Sequence, residues 1–243
     1  MIDANTTPLS NAKIAVIIPC YRVKQQILDL LNAIPSFVSY IFLVDDACPE
    51  SSGRYVEDNC TDERCHVLYH DTNQGVGGAV VTGFNAALET DSSIFVKMDG
   101  DGQMDARYLE ALIHPILTKE ADYTKGNRFF DMSALSLMPL VRRIGNMGLT
   151  LFAKAASGYW NLSDPTNGYV AIHRSALELI DREKLEKRYF FECDLLIRLN
   201  VVRAAISEVP IPAVYGNEQS SLSVLSSLFV FPALLIASNR LPN

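Results

Sequence analysis

The chain has no surplus of positive charge, no paired cysteine framework, no internal repeat and no Pro/Gly/Ser-rich linker. Each absence narrows the field. With 21 Lys and Arg against 28 Asp and Glu, a net charge of −7, a nucleic-acid partner, which would have to meet a basic surface, is not favoured. Five cysteines at irregular spacing, with no leading apolar segment, fit a reducing, cytosolic setting better than a disulfide scaffold. Cys60, Cys65, His66 and His70 have the residue types of a zinc site, but no CxxC pair supports them, and ordinary strand and loop residues are the simpler reading. Neither GxGxxG nor a Walker lysine occurs, which weakens a dinucleotide-dependent oxidoreductase.

What the chain does have is 49% hydrophobic residues over 243 positions, enough for a sizeable α/β core. Apolar strand-like runs at Ile14–Ile18, Ile41–Val44, Val67–Tyr69 and Ile94–Met98 alternate with helical stretches at 24–33, 51–59, 76–89 and 105–118. That rhythm predicts a mostly parallel sheet with helices on both faces. We expect a single domain over 1–221. The remaining 222–243 read as an apolar membrane-interfacial helix or the start of a membrane region, since Leu222–Ala237 is interrupted by Pro232 and shorter than the roughly 20 residues a spanning helix needs.

Each strand ends in polar or turn-forming residues, and ligands of open parallel sheets bind at the carboxyl ends of strands. The fourth strand end, Asp99-Gly100-Asp101-Gly102-Gln103, is the richest. In an extended segment alternate side chains point the same way, so Asp99, Asp101 and Gln103 would offer three oxygen ligands to one hard cation. A polar turn is the plain alternative. Pro19 and Tyr21 offer a rigid turn and an aromatic face beside a base, and Asp45-Asp46 offer acceptors for base or ribose donors. Asn73–Ala79 opens a helix with small residues, which lets backbone approach a ligand or the sheet.

Taken in order, Ile-Ile-Pro-Cys-Tyr, Val-Asp-Asp, Asn-Gln-Gly-Val-Gly-Gly-Ala, Asp-Gly-Asp-Gly-Gln, Lys-Gly-Asn-Arg-Phe and Ser-Asp-Pro-Thr-Asn-Gly-Tyr resemble the family-two inverting glycosyltransferases. More narrowly they are similar to the dolichyl- and polyprenyl-phosphate sugar transferases. The resemblance implies a GT-A fold, with Pro19, Tyr21, Val44 and Asp46 around the nucleoside of a UDP- or GDP-linked sugar. It implies Mg2+ or Mn2+ on Asp99, Asp101 and Gln103, with Arg128 near the donor phosphates. Asp164 and Glu192 match acidic positions on the acceptor side, either being the general base if the acceptor is a hydroxyl. Two departures stand out: Val23 replaces a usual glutamate, and the stretch around Tyr215 carries neither the usual arginine nor lysine.

The function expected is transfer of one sugar to a lipid acceptor, most simply polyprenyl phosphate, at the cytoplasmic face of a membrane. The alternatives are transfer to a sugar hydroxyl of a lipid-linked or surface glycan, a nucleotidyltransferase, or a non-catalytic nucleotide-sugar-binding module. A Gln-x-x-Arg-Trp signature of processive synthases is missing, in line with a single addition. Donor base, sugar and oligomeric state are not readable from sequence.

Overall fold

The computed structural model describes residues 12–130, 140–188 and 190–212, with 140–146 described by backbone alone. Its centre is one seven-stranded sheet: β1 Ile14–Cys20, β2 Tyr40–Asp45, β3 Cys65–Tyr69, β4 Ile94–Lys97, β5 Tyr123–Asn127, β6 Val170–His173 and β7 Ile206–Pro210. The spatial order is β3-β2-β1-β4-β6-β5-β7. Four of the six pairings are parallel, as expected, and the other two are those of β6, which runs antiparallel to both β4 and β5. The four strands read from the sequence are all present, displaced by no more than two residues at either end.

Strand alternation explains why helices cover both faces. Ile14, Val16 and Ile18 point to a core shared with α1 (Ile27–Ala33), α2 (Ser52–Asn59) and α4 (Leu109–Leu117). Ala15 and Ile17 point the other way, to a core shared with α3 (Val76–Leu88), α6 (Arg174–Glu178) and α7 (Phe191–Val201). The remaining helix, α5 (Leu140–Ser157), packs through Ala153 on Phe190, which precedes α7, and on Cys193 and Ile197 of α7. Among the described residues no helix is long and apolar enough to cross a membrane. The expected tail 222–243, the stretch around Tyr215 and residues 133–139 lie outside the described residues.

Two close approaches set the positions of α3 and α7. A Cβ on Gly83 would collide with the Ile17 side chain, so the missing side chain lets α3 lie directly on β1. The sequence suggested that the small residues at the start of α3 let backbone approach a ligand or the sheet; the backbone that approaches them is that of 186–188. Gly75, at φ +90°, and Gly77 both face that segment, and Lys187 O accepts the Gly78 N–H at 3.0 Å. This contact seats the chain entering α7. Gly83→Val is expected to lower the unfolding free energy by about 1–3 kcal/mol through overpacking, read from urea unfolding; an unchanged midpoint would mean that α3 has room to shift.

Candidate active site

Between β1 and β4 the chain switches direction of winding, since β2 and β3 lie on one side of β1 and β4 on the other. The crevice at such a switch point, outside the carboxyl ends of the strands, is the place for a ligand. Pro19 closes β1 there, and a Cβ on Gly100 would lie 3.3 Å from Pro19 O, so the acidic loop is pressed against the end of β1. Tyr21, 44% exposed, stands at the rim.

The acidic loop is a turn and not an extended run. Residues 100–101 form the turn, Gly102 sits at φ +76°, and Asp101 Oδ1 accepts the Gln103 N–H at 3.0 Å. Asp99, Asp101 and Gln103 therefore owe no common direction to strand alternation. The physical reason is that each glycine relaxes the backbone restriction that keeps a strand extended. Asp99 leaves the sheet first, and its Oδ1 lies 2.8 Å from Lys97 Nζ.

Lys97 is the last residue of β4 and its side chain is 1% exposed. The same Nζ donates to Glu192 Oε1 at 3.2 Å, from the first turn of α7. Burial alone would lower its proton affinity, but Asp99 and Glu192 outweigh it and hold the ammonium above the usual lysine range. A Cβ on Gly168 would run into Nζ and come within 3.0 Å of Asp99 Oδ2, so the glycine of the Asp-Pro-Thr-Asn-Gly turn makes the space for this pair.

Asp164 and Arg128 form a second unit. Arg128 Nε donates to Asp164 Oδ2 at 2.7 Å, Nη2 to Oδ1 at 3.0 Å, and the Arg128 backbone N–H to Oδ2 at 3.2 Å. The Asp164 side chain is 0% exposed. With both carboxylate oxygens held by one fork, Asp164 orients the guanidinium and has no oxygen open to an acceptor in this arrangement. Glu208 of β7 supports the unit: Oε1 accepts the backbone N–H groups of Ser163 and Asp164 at 2.6 and 2.9 Å, and Oε2 accepts Asn127 Nδ2 at 3.0 Å.

Lys125 lies between the two units, fully buried in β5, and donates to Asn167 O. Burial pushes its ammonium down to about 8, against the opposing pull of Glu192 and Asp164. Sequence reading overlooked Lys97, Lys125 and Glu208. The available signal was a lysine inside an otherwise apolar strand, Ile-Phe-Val-Lys and Tyr-Thr-Lys-Gly, where an unpaired charge is too costly to leave without a partner.

The nucleoside-side residues fall in a separate network. Val44 pairs with Pro19 across β1 and β2, and its side chain is fully buried. Asp46 Oδ1 meets His70 Nδ1 at 2.7 Å and accepts the Gln74 N–H at 2.8 Å, while Oδ2 accepts the Gly75 N–H at 2.8 Å. His70 Nε2 in turn meets Thr82 Oγ1 at 2.8 Å. Asp45 likewise accepts the N–H groups of Cys48 and Gly53. Both carboxylates pin loops at the site's edge. The structure thus joins Asp99 to Glu192 and Arg128 to Asp164, and sets Asp46 apart from both.

Among the described residues no group of three or more His, Cys, Asp or Glu converges on one point. Mg2+ or Mn2+ does not require one: it takes one or two carboxylates and completes its shell with phosphate and water oxygens. Asp99, 31% exposed at its side chain, and the partly buried Asp101 on the same turn fit that smaller demand.

The model of glycosyl transferase family 2 matches residues 15–180. Among curated relatives, an undecaprenyl-phosphate mannosyltransferase of Micrococcus luteus is 31% identical, with 82% of each chain covered. A UDP-N-acetylglucosamine–dolichyl-phosphate N-acetylglucosaminyltransferase of Methanococcus voltae is 28% identical over 85% of this chain and 88% of its own. A crystal structure of glucosyl-3-phosphoglycerate synthase from Mycobacterium tuberculosis, in complex with Mn2+, uridine diphosphate and phosphoglyceric acid, superposes with a TM-score of 0.72. It is 16% identical and covers 97% of this chain and 81% of that one, a likeness of fold.

Two tests follow from the charge pairs. Arg128→Met strands the buried Asp164 carboxylate and should cost about 3–5 kcal/mol, whereas Arg128→Met combined with Asp164→Leu should cost less than the two single changes together. Additive losses in urea unfolding would show that the pair does not act as a unit. For Lys125, the unfolded chain binds more protons than the folded one between about pH 8 and pH 10, so this group's contribution to stability rises with pH across that window. The stability of the unaltered chain relative to Lys125→Met should accordingly shift in its favour by about 1–3 kcal/mol over that range; a flat difference would place the lysine's proton affinity elsewhere.

Proposed function

The chain belongs to glycosyl transferase family 2 and is a glycosyltransferase, and on that premise we propose that it moves one sugar from a nucleoside-diphosphate sugar to the phosphate of a membrane polyprenyl lipid, with inversion at the anomeric carbon. The observation that carries the acceptor is the agreement among relatives matched over most of both chains: they are named for dolichyl phosphate, undecaprenyl phosphate and polyprenol monophosphomannose. The bipartite site is in keeping with it. In this proposal Asp99 and Asp101, on the loop pressed against Pro19, meet the donor diphosphate, and Arg128 and Glu192 act beside them.

In this reading Pro19 and Tyr21 border the nucleoside, while Asp46 acts at one remove by fixing the Asn73–Gly75 loop. Asp99 and Asp101, with Gln103 alongside, hold Mg2+ or Mn2+. When bound there, such an ion would supply neutralisation of the charge on the leaving diphosphate. Arg128 presents a planar fork suited to phosphate oxygens, oriented by Asp164. A lipid phosphate is already anionic near neutral pH, so it needs placement and not deprotonation. Glu192 is then a candidate base only for a hydroxyl acceptor, and Asp164 is a positioning residue. Residues 1–221 form the catalytic domain and 222–243 the membrane-proximal part, at the cytoplasmic face where nucleotide-sugars are made.

Incubation of the chain with radiolabelled UDP- or GDP-sugars, polyprenyl phosphate vesicles and Mn2+ should give an organic-soluble, acid-labile product. Asp101→Asn should reduce its formation about 100-fold or more, on the scale of losing a ligand that stabilises leaving-group charge. Product only with glycan acceptors would overturn the lipid-phosphate reading, and full activity of the Asn variant would remove the metal role of the loop.

A further inference from the structure

Lys97 has no role in the reading above, yet it touches both of its halves. Its ammonium is buried and faces Asp99 Oδ1 at 2.8 Å and Glu192 Oε1 at 3.2 Å. Neither partner is free to drift. Gly168 closes over Nζ and Asp99 Oδ2, and Glu192 stands at the first turn of a helix whose entry is clamped by Gly75, Gly77 and the 186–188 backbone. One cation is thus held in place and divided between two carboxylates.

We propose that Lys97 is a positioning residue that couples the acidic loop to Glu192: a divalent ion at Asp99 displaces the ammonium from that carboxylate and leaves it to Glu192. The inference rests on Asp99 being part of the metal site. Its physical basis is competition. A lysine ammonium on a carboxylate opposes a second cation there, and the more of that ammonium Glu192 holds, the weaker the opposition. Filling the donor-side site therefore tightens the Lys97–Glu192 contact and orders Glu192 before an acceptor arrives.

Competition makes two variants move in opposite directions. Lys97→Met removes the competitor and should tighten Mn2+ binding, while Glu192→Gln returns the whole ammonium to Asp99 and should weaken it, each by about three- to tenfold. A merely structural role would weaken binding in both. The experiment is titration of the full chain with Mn2+ alone, followed by electron paramagnetic resonance of the free ion. Circular dichroism and thermal melting check the fold, and Glu192→Gln, nearly isosteric, carries the test if Lys97→Met does not fold. Equal weakening in both variants, or unchanged affinity in a chain whose Mn2+ binding is abolished by Asp101→Asn, overturns the coupling alone. Failure of the unaltered chain to bind Mn2+ overturns the metal reading and the coupling with it.

Discussion

A buried ammonium shared between two carboxylates is the constraint around which the site is organised. An isolated lysine at 1% exposure would be too costly to retain as a cation, so the fold must bring anions to it. Asp99 is supplied two residues along the same strand end, and Glu192 from α7, 95 residues away in sequence. To deliver Glu192, the start of α3 must admit the chain at 186–188, which calls for Gly75 and Gly77. To leave room above Nζ, the turn after Asp164 must end in Gly168. Three glycines in two distant segments thus serve one charge.

The other carboxylates of the region have a different task. Asp46 and Glu208 each accept two backbone N–H groups from loops at the strand ends, Asp45 accepts one from a loop and one from the first turn of α2, and Asp164 accepts one together with the Arg128 fork. Loops there have no ladder to satisfy their donors, and buried donors without partners are costly. A carboxylate with two oxygens satisfies several at once and holds the loop in one shape. These acids are engaged by backbone donors, whereas Asp99 and Glu192 share the ammonium of Lys97.

This division accounts for how far sequence reading reached. Alternation in Ile14–Ile18 and the spacing of helices identified both faces of the sheet, because a strand's side-chain period is a local property. The antiparallel β6 between β4 and β5 was not visible, since its placement depends on pairing between segments far apart in the chain. Within the site, Asp99, Arg128, Asp164 and Glu192 were named from motif order, but all acids at strand ends looked alike. Whether an oxygen faces a loop N–H or open space is a fact of packing. Lys97 and Lys125 were missed for the converse reason: a lysine in a strand reads as solvated until the sheet is known to be covered on both sides.

The sequence by itself determined the family, the parallel half of the sheet and the identity of most groups that meet at its edge, because motif chemistry and strand periodicity are written in neighbouring residues. Only the tertiary structure decided which acids accept backbone N–H groups, that Asp164 belongs to Arg128, and that one lysine joins Asp99 to Glu192. Those outcomes depend on burial and on contacts across 95 residues of chain, where the cost of leaving a charge unpaired selects the partner.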